Sequence, residues 1–194
     1  MKVVIAGSRT LCDNMERKLQ DYISLDVAIR KAISADICPS VVVCGGAKGV
    51  DMAGAAWGIS MGLKVENFPA DWKTHGMAAG HIRNHAMAKA SDAAIILWDG
   101  ESRGAANMIK QSQKEKIPHV IHTPSWNDLE GYTVFDAEGV EIGTFGKVYG
   151  DNDYGIELTT PDITGKTIVP THTLPKFFSR KVRAFAFNEE SGDG

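Results

Sequence analysis

The feature that most limits the fold is the regular alternation of short apolar strands and helix-type segments in the first 122 residues. Five strand-like runs recur, namely KVVIAG, SVVVCGG, KVENFP, DAAIILWDG and IPHVIH. The segments between them have apolar residues every three or four positions, as in SLDVAIRKAIS, or are rich in small residues. Continuous apolar strands separated by helices are typical of a parallel sheet covered on both faces. The sequence therefore predicts a doubly wound, Rossmann-like α/β domain over residues 1–124, with Ser24 capping its first helix.

The pattern changes after the segment TPSWND. From Tyr132 onward only strand patterns and turns occur, and YTVFDAEGVEIGTF alternates on both sides of an Asp-Ala-Glu-Gly turn, which indicates a hairpin. The segments YGIEL, KTIVP and KVRAFAF predict further strands. We therefore expect a small all-β, barrel-like module over residues 128–188, followed by a disordered tail at 189–194.

Composition and charge restrict the setting and the partners. No apolar run approaches the roughly 20 residues of a membrane span, and the N-terminus resembles a core strand more than a signal peptide. The three cysteines have no metal-type spacing, which suits a reducing, cytoplasmic setting. Residues 1–124 carry 15 Lys and Arg against 12 Asp and Glu, and residues 125–194 carry 6 against 12. A nucleic-acid partner is therefore not expected, although a small anion is compatible with this balance.

The loops that follow the strands carry the residues of chemical interest. Ligands of open α/β sheets bind beyond the carboxyl ends of the strands, where the strand order reverses. After the third strand we predict a polar loop and then a helix, IRNHAMAKAS, and polar side chains and glycines cluster in this helix and in the loops that follow the strands. We expect the ligand-binding residues to be Gly7, Ser8, Arg9, Gly45, Gly46, Lys48, Gly49, Asp51, Asp71, Trp72, Arg83, Asn84, Asp99, Ser102, Arg103 and Gly104.

These residue types indicate an anion site. Paired glycines let the backbone turn tightly and present N–H groups, and a following helix N-terminus adds partial positive charge. The guanidinium and ammonium groups supply full charges. Gly45 and Gly46 could equally form a plain turn, Asp51 could cap a helix or bind a ribose hydroxyl or a basic side chain, and Trp72 and Trp98 could stack on a base or pack in the core.

Several well-known site types are absent. The loop VVVCGGAKGVD has neither the spacing of a Walker A motif nor that of a dinucleotide-binding GxGxxG motif. His81 and His85 have the spacing of a metal pair on a helix, but no third ligand accompanies them. We therefore expect no metal site and no cofactor.

The motifs VVIAGSRT, VVVCGGAKGVD, FPADW, GHIRNHAMA and ILWDGESRGAANMI, in this order, resemble the SLOG superfamily, a Rossmann-like group. The resemblance covers about Lys2 to His122 and is nearest to the YspA-type branch, often found in phages and bacteria. It implies a nucleotide-type ligand, ADP-ribose-like or a nucleoside phosphate, and a homo-oligomer. A phage member could sequester a nucleotide immune signal in the host cytoplasm. The later stretch GYTVFDAEGVEIGTF is similar to PRC-barrel modules.

The same resemblance leaves two alternatives open. Lonely Guy enzymes of this superfamily hydrolyse the N-glycosidic bond of nucleoside monophosphates with a PGGxGTxxE motif, whereas this chain has Asn107 and Met108 near the place of the glutamate. We therefore lean towards binding without catalysis, and Asp51, Asp71 and Asp99 are the candidate carboxylates if there is hydrolysis. The loop GGAKGVD also resembles that of DNA-processing protein A, which binds single-stranded DNA.

Overall fold

The computed structural model describes residues 1–13, 18–136, 138–149, 155–160, 166–169 and 184–187. The chain forms two compact units, Met1–Asn14 with Ser24–Pro124 and Met15–Ile23 with Ser125–Gly194. The predicted boundaries at 124 and 128 stay predictions, and the tail expected at 189–194 lies outside the described residues. Of the helices in the described ranges, none is long and apolar enough to cross a membrane.

The first unit contains the predicted parallel sheet. Its strands have the order β3-β2-β1-β4-β5, and all neighbouring pairs are parallel. The elements of residues 1–124 in chain order are β1 Lys2–Gly7, α1 Lys18–Ser34, β2 Val41–Cys44, α2 Val50–Ser60, β3 Lys64–Asn67, α3 Trp72–His75, a 3-10 turn Gly76–Ala78, α4 Ala79–Lys89, β4 Ala93–Leu97, α5 Arg103–Lys114 and β5 His119–His122. The prediction of a doubly wound α/β fold is confirmed.

Helices cover both faces of β1, the central strand of the sheet. Side chains alternate between the faces of a strand, so that Ile5 of β1 contacts α2 at Gly54, whereas Val4 and Ala6 join the cluster on the other face. That cluster includes Met87 of α4 and Met108 of α5. Burial on both faces explains why the strands read as continuous apolar runs.

Two local predictions are wrong. The first helix begins at Lys18, and Ser24 lies buried inside it instead of capping it. Lys18, Leu19 and Gln20 are good helix formers, so the helix extends towards the N-terminus beyond the apolar repeat. The segment after β3, predicted as a polar loop, contains α3, because the Asp71 side chain accepts a hydrogen bond from the backbone N–H of Thr74 at 3.0 Å.

The second unit contains an antiparallel sheet with the order β10-β6-β7-β8-β9 in the described residues. Its strands are β6 Tyr132–Phe135, β7 Glu141–Tyr149, β8 Gly155–Thr159, β9 Lys166–Val169 and β10 Ala184–Phe187. The hairpin of β6 and β7 is confirmed, and the Asp136 carboxylate fixes its turn by accepting from the backbone N–H groups of Glu138 and Val140. The prediction of an all-β region after Tyr132 is therefore confirmed.

The close contact between α2 and β1 gives a stability prediction. A Cβ atom at Gly54 would lie 2.3 Å from Cγ2 of Ile5, whereas one at Gly104 in α5 would have its nearest neighbour at 3.9 Å. We expect Gly54→Ala to lower the free energy of unfolding by about 1–3 kcal/mol through overpacking. The control Gly104→Ala should be neutral or slightly stabilising, because Ala favours helix. Urea unfolding followed by tryptophan fluorescence measures both, and equal stability of the two variants would contradict the packing.

Candidate functional site

The candidate site lies where the strand order reverses, between β1 and β4. Gly7 at the end of β1 is paired with Leu97 at the end of β4. The backbone N–H of Ser8 donates to the Leu97 carbonyl at 3.1 Å, and the Ser8 hydroxyl accepts from the backbone N–H of Asp99 at 3.1 Å. These bonds join the two loops that leave the central strands, and a cleft opens above them.

The Asp99 carboxylate organises the loop between β4 and α5. Its Oδ1 accepts from the backbone N–H groups of Glu101 at 3.0 Å and Ser102 at 2.8 Å, and its Oδ2 accepts from the Thr10 hydroxyl at 2.9 Å. Burial alone would raise the pKa of Asp99, but the bonds from Ser102, Glu101, Ser8 and Thr10 outweigh it and lower the pKa to about 2. Asp99 is therefore ionised at neutral pH and holds the loop in place.

The Asp51 carboxylate organises the loop between β2 and α2. Its Oδ2 accepts from the backbone N–H groups of Gly45 at 3.1 Å and Ala47 at 3.4 Å. The residue before the helix is Gly49, so the carboxylate is not the helix N-cap. Of the roles that the sequence left open for Asp51, the structure shows contact with a basic side chain, described next.

Arg83 of α4 contacts this loop at Gly45 and Asp51. Its Nη1 lies 3.5 Å from Asp51 Oδ2 and donates to the Gly45 carbonyl at 2.5 Å, and the side chains of Arg83 and Asp51 are only 10% and 4% exposed. Burial raises the pKa of Asp51, and the Arg83 charge and the loop N–H groups oppose this rise. A Cβ at Gly45 would lie 1.6 Å from Arg83 Nη1, so a side chain at this position would displace the Arg83 guanidinium from the loop.

Asn84 and Trp98 also connect elements around the cleft. The Asn84 side chain accepts from Arg83 Nε at 3.0 Å and donates to the Gly104 carbonyl at 3.2 Å, linking α4 to α5. Trp98 packs against the core, and its Nε1 donates to the Ser102 carbonyl at 3.2 Å. The core role that the sequence allowed for Trp98 is the one observed.

Two adjoining cavities occupy the cleft. The first has a volume of about 460 Å³ and the second about 500 Å³. Both are lined by Arg9, Ala47, Trp72 and Arg83. The first adds Ala6, Gly7, Thr10, Asp51, Met77, Gly80, His81, Asn84, Asp99, Glu101, Ser102, Gly104, Ala105 and Met108, and the second adds Gly45, Gly46, Lys48, Asn67, Pro69 and Ala70.

Twelve of the 16 predicted binding residues line one or both cavities, which leaves four that do not. Ser8 is buried beneath the cleft, and Gly49 has a φ of 77° and faces the backbone carbonyls of the β1 loop. Asp71 caps α3 and Arg103 is exposed at the start of α5. The binding role of all 16 residues stays a prediction.

Four ionisable side chains in the cavity walls have no hydrogen-bond or ion-pair partner among the described residues. They are Arg9 and Lys48 on the cationic side, and His81 and Glu101 in the first cavity. Sequence reasoning missed Glu101, although it lies in the quoted loop DGESRG, and considered His81 only as half of a metal pair. His85, the other half, points to Gln111 at 3.1 Å. Over the described ranges, no group of three or more His, Cys, Asp or Glu is placed to hold a metal ion.

Comparison with known proteins gives a family match to the N-terminal part of the chain, which supplies some of the residues that line this cleft. The model of the YspA, cpYpsA-related SLOG family matches residues 1–75. The chain is also similar to the Gene 61 protein of Mycobacterium phage D29, with 36% identity over 86 residues, which cover 40% of this chain and 67% of the phage protein. Among solved structures, none matches the chain. Since the family match ends at residue 75, the similarity of the later module to PRC barrels stays a prediction.

The low pKa of Asp99 gives a pH prediction. Because the pKa is about 2 in the folded state and 3.8 in the reference state, Asp99 stabilises the fold above about pH 4, and this contribution disappears as the pH falls towards 2. Asp99→Asn should therefore flatten the loss of unfolding free energy between pH 4 and pH 2 by up to about 2 kcal/mol. Urea unfolding at several pH values tests this.

The control is Asp36→Asn, at an exposed carboxylate without a partner among the described residues, and it should keep the wild-type slope. An unchanged slope in Asp99→Asn would show that the four bonds do not hold the carboxylate ionised.

Proposed function

This chain belongs to the YspA, cpYpsA-related SLOG family, and on that premise we propose that its cleft binds a phosphorylated nucleoside of the ADP-ribose or nucleoside-phosphate class. Family membership is consistent with nucleotide-related binding or processing. The observation that carries the proposal is the pair of adjoining cavities whose shared wall contains Arg9 and Trp72, one cation without a partner and one exposed aromatic ring.

The phosphate end of the ligand belongs in the second cavity, near the wall shared by both. Lys48 and Arg9 are exposed there and have no partner among the described residues, so their charges are available to an anion. The N-terminus of α2, which begins at Val50, adds partial positive charge next to them. The N–H of Gly45 already donates to Asp51, so the two side-chain cations carry more of the recognition than the sequence suggested.

Trp72 supports recognition of the nucleoside part. Its side chain is 53% exposed and lines both cavities, whereas Trp98 lines neither. An exposed ring in a cavity wall gives a flat surface on which a base stacks, typically with about 1–3 kcal/mol of binding free energy. The cap that Asp71 provides to α3 holds Trp72 at the first position of this helix.

Binding without cleavage is the preferred reading because the predicted carboxylates are already engaged. Asp51 and Asp99 accept hydrogen bonds from loop N–H groups, and Asp71 caps α3. A nucleotide N-glycosidase is the second candidate, because Glu101 and His81 line the first cavity without partners and could protonate a leaving base.

Chromatography of AMP, NAD and ADP-ribose after long incubation with the protein should show intact substrates. Release of free base that Glu101→Gln abolishes would establish the enzyme instead.

The phage relative supports a proposal about the biological setting. We include in the proposal that the protein works in the cytoplasm of a host cell and sequesters a nucleotide immune signal there. Binding of single-stranded DNA is the least supported candidate, since residues 1–124 carry only 15 Lys and Arg against 12 Asp and Glu. A mobility-shift assay at low salt separates this candidate from the small-molecule proposal.

Self-association belongs to the proposal as well. The solvent side of α2 exposes Met52 at 60% and Ile59 at 68%, and the following Met61 at 61%. Met52 and Ile59 are seven residues apart and therefore lie on one face of the helix. An apolar helix face of this kind supports a homo-oligomer, which light scattering coupled to size-exclusion chromatography tests.

Removal of the Lys48 charge tests the binding proposal. Lys48→Ala should weaken the affinity for ADP-ribose or AMP by about 10- to 100-fold in calorimetry, the cost of one charge-assisted contact to phosphate. Lys110→Ala is the matched control, because Lys110 is exposed on α5 and lines neither cavity. If the wild-type chain binds none of AMP, GMP, NAD, ADP-ribose and cyclic ADP-ribose, the proposal is wrong.

A further inference from the structure

Glu101 differs from the other carboxylates of the first cavity in being unengaged. Asp51 accepts from two loop N–H groups and pairs with Arg83, and Asp99 accepts from the loop that follows it. Asp71, the third carboxylate among the predicted binding residues, lines neither cavity. The Glu101 side chain is exposed, lines the first cavity and has no partner among the described residues.

The loop holds Glu101 in a fixed position. Its backbone N–H donates to Asp99 Oδ1 at 3.0 Å, and the same oxygen accepts from Ser102, which caps α5. The preceding Gly100 has a φ of 87°, in the left-handed region that glycine adopts readily. Only the side chain of Glu101 is therefore left to adjust, and little order has to be created when it contacts a ligand.

The order of groups within a nucleotide decides what reaches Glu101. A phosphate is repelled by the carboxylates of Asp51, Asp99 and Glu101, so it stays beside Arg9 and Lys48. In every 5′-phosphorylated nucleoside the group bonded directly to the phosphate is the ribose. The part of the ligand that passes the shared wall into the first cavity is then a sugar with two neighbouring hydroxyl groups. A carboxylate is an acceptor-only group and suits this pair of donors, as acidic residues do in dinucleotide-binding folds.

We infer that Glu101 accepts hydrogen bonds from the 2′- and 3′-hydroxyl groups of the bound ribose and makes the cleft selective for ribonucleotides over 2′-deoxyribonucleotides. This inference rests on the proposed function, because it assumes that the phosphate lies at the cationic wall. It makes Glu101 a specificity-determining residue.

Calorimetry with paired ligands tests the inference. The affinities of AMP, 2′-deoxy-AMP, GMP and 2′-deoxy-GMP are measured for the wild-type chain and for Glu101→Gln, which keeps the size of the side chain and removes its charge. We expect the wild type to prefer each ribonucleotide by about tenfold or more, since one charged hydrogen bond is lost with the 2′-hydroxyl, and the variant to discriminate by less than about threefold. Glu130→Gln, at an exposed glutamate outside both cavities, is the matched control and should keep the wild-type ratio.

The possible results distinguish the role of Glu101 from the proposal that the cleft binds a nucleotide. If wild type binds nucleotides and Glu101→Gln retains the full preference for ribose, the inference is overturned and nucleotide binding stands. A loss of guanine-over-adenine preference with unchanged ribose preference would assign Glu101 to the base and also overturn it. Absence of binding by the wild type overturns both.

Gly100→Ala provides a second variant that leaves the carboxylate in place. A Cβ at this glycine meets nothing within 4 Å, so the substitution acts only through the backbone conformation. If Glu101 must be held by the turn, Gly100→Ala should reduce the ribose preference while affinity for the 2′-deoxyribonucleotides remains. An undiminished preference would show that the turn does not position the carboxylate.

Discussion

The central position of β1 is the constraint on which the described site depends. This strand pairs with β2 on one side and with β4 on the other, and Gly7 ends it beside Leu97. Because all these strands are parallel, their following loops leave at the same edge of the sheet, and the reversal of strand order separates α2 from α5 there. The cleft is therefore a consequence of topology, and the side chains in its wall decide what it holds.

Some charged side chains of the cleft are paired with groups of the protein, and the others remain available to a ligand. Arg83 and Asp51 are nearly buried and satisfy each other and the Gly45 loop, so they stabilise its shape. Replacing one member of such a pair leaves a buried charge without its partner, which usually costs about 3–5 kcal/mol. The charges that remain available are exposed, as in Lys48, and a ligand meets them on a scaffold that is already formed. Some charged groups of the cleft therefore stabilise its loops, and only the others are available to bind a ligand. For this reason the number of charged residues in the loops is larger than the number that can contact an anion.

The sequence predicts the fold well because strand and helix signals are local, and it predicts the cleft because topology brings known loops together. The sequence does not predict the role of a side chain when that role depends on a partner far away in the chain. Asp51 has the position of a helix cap, and only the approach of Arg83, 32 residues later, shows its role as a brace. Glu101 was overlooked because its availability depends on Asp99 taking the bonds of the loop, which spacing does not reveal. The start of α1 was missed because Lys18 and its neighbours carry helix propensity without an apolar repeat.

The central claim is that the β1–β4 cleft holds a phosphorylated nucleoside. Hydrogen–deuterium exchange of the whole chain with and without saturating ADP-ribose tests it most directly, because it reports where a ligand orders the backbone. If a nucleotide binds in this cleft, exchange slows in residues 45–50 and 99–105 together and does not change in the β6–β7 hairpin. Unchanged exchange in both loops, or protection confined to the hairpin, would contradict it.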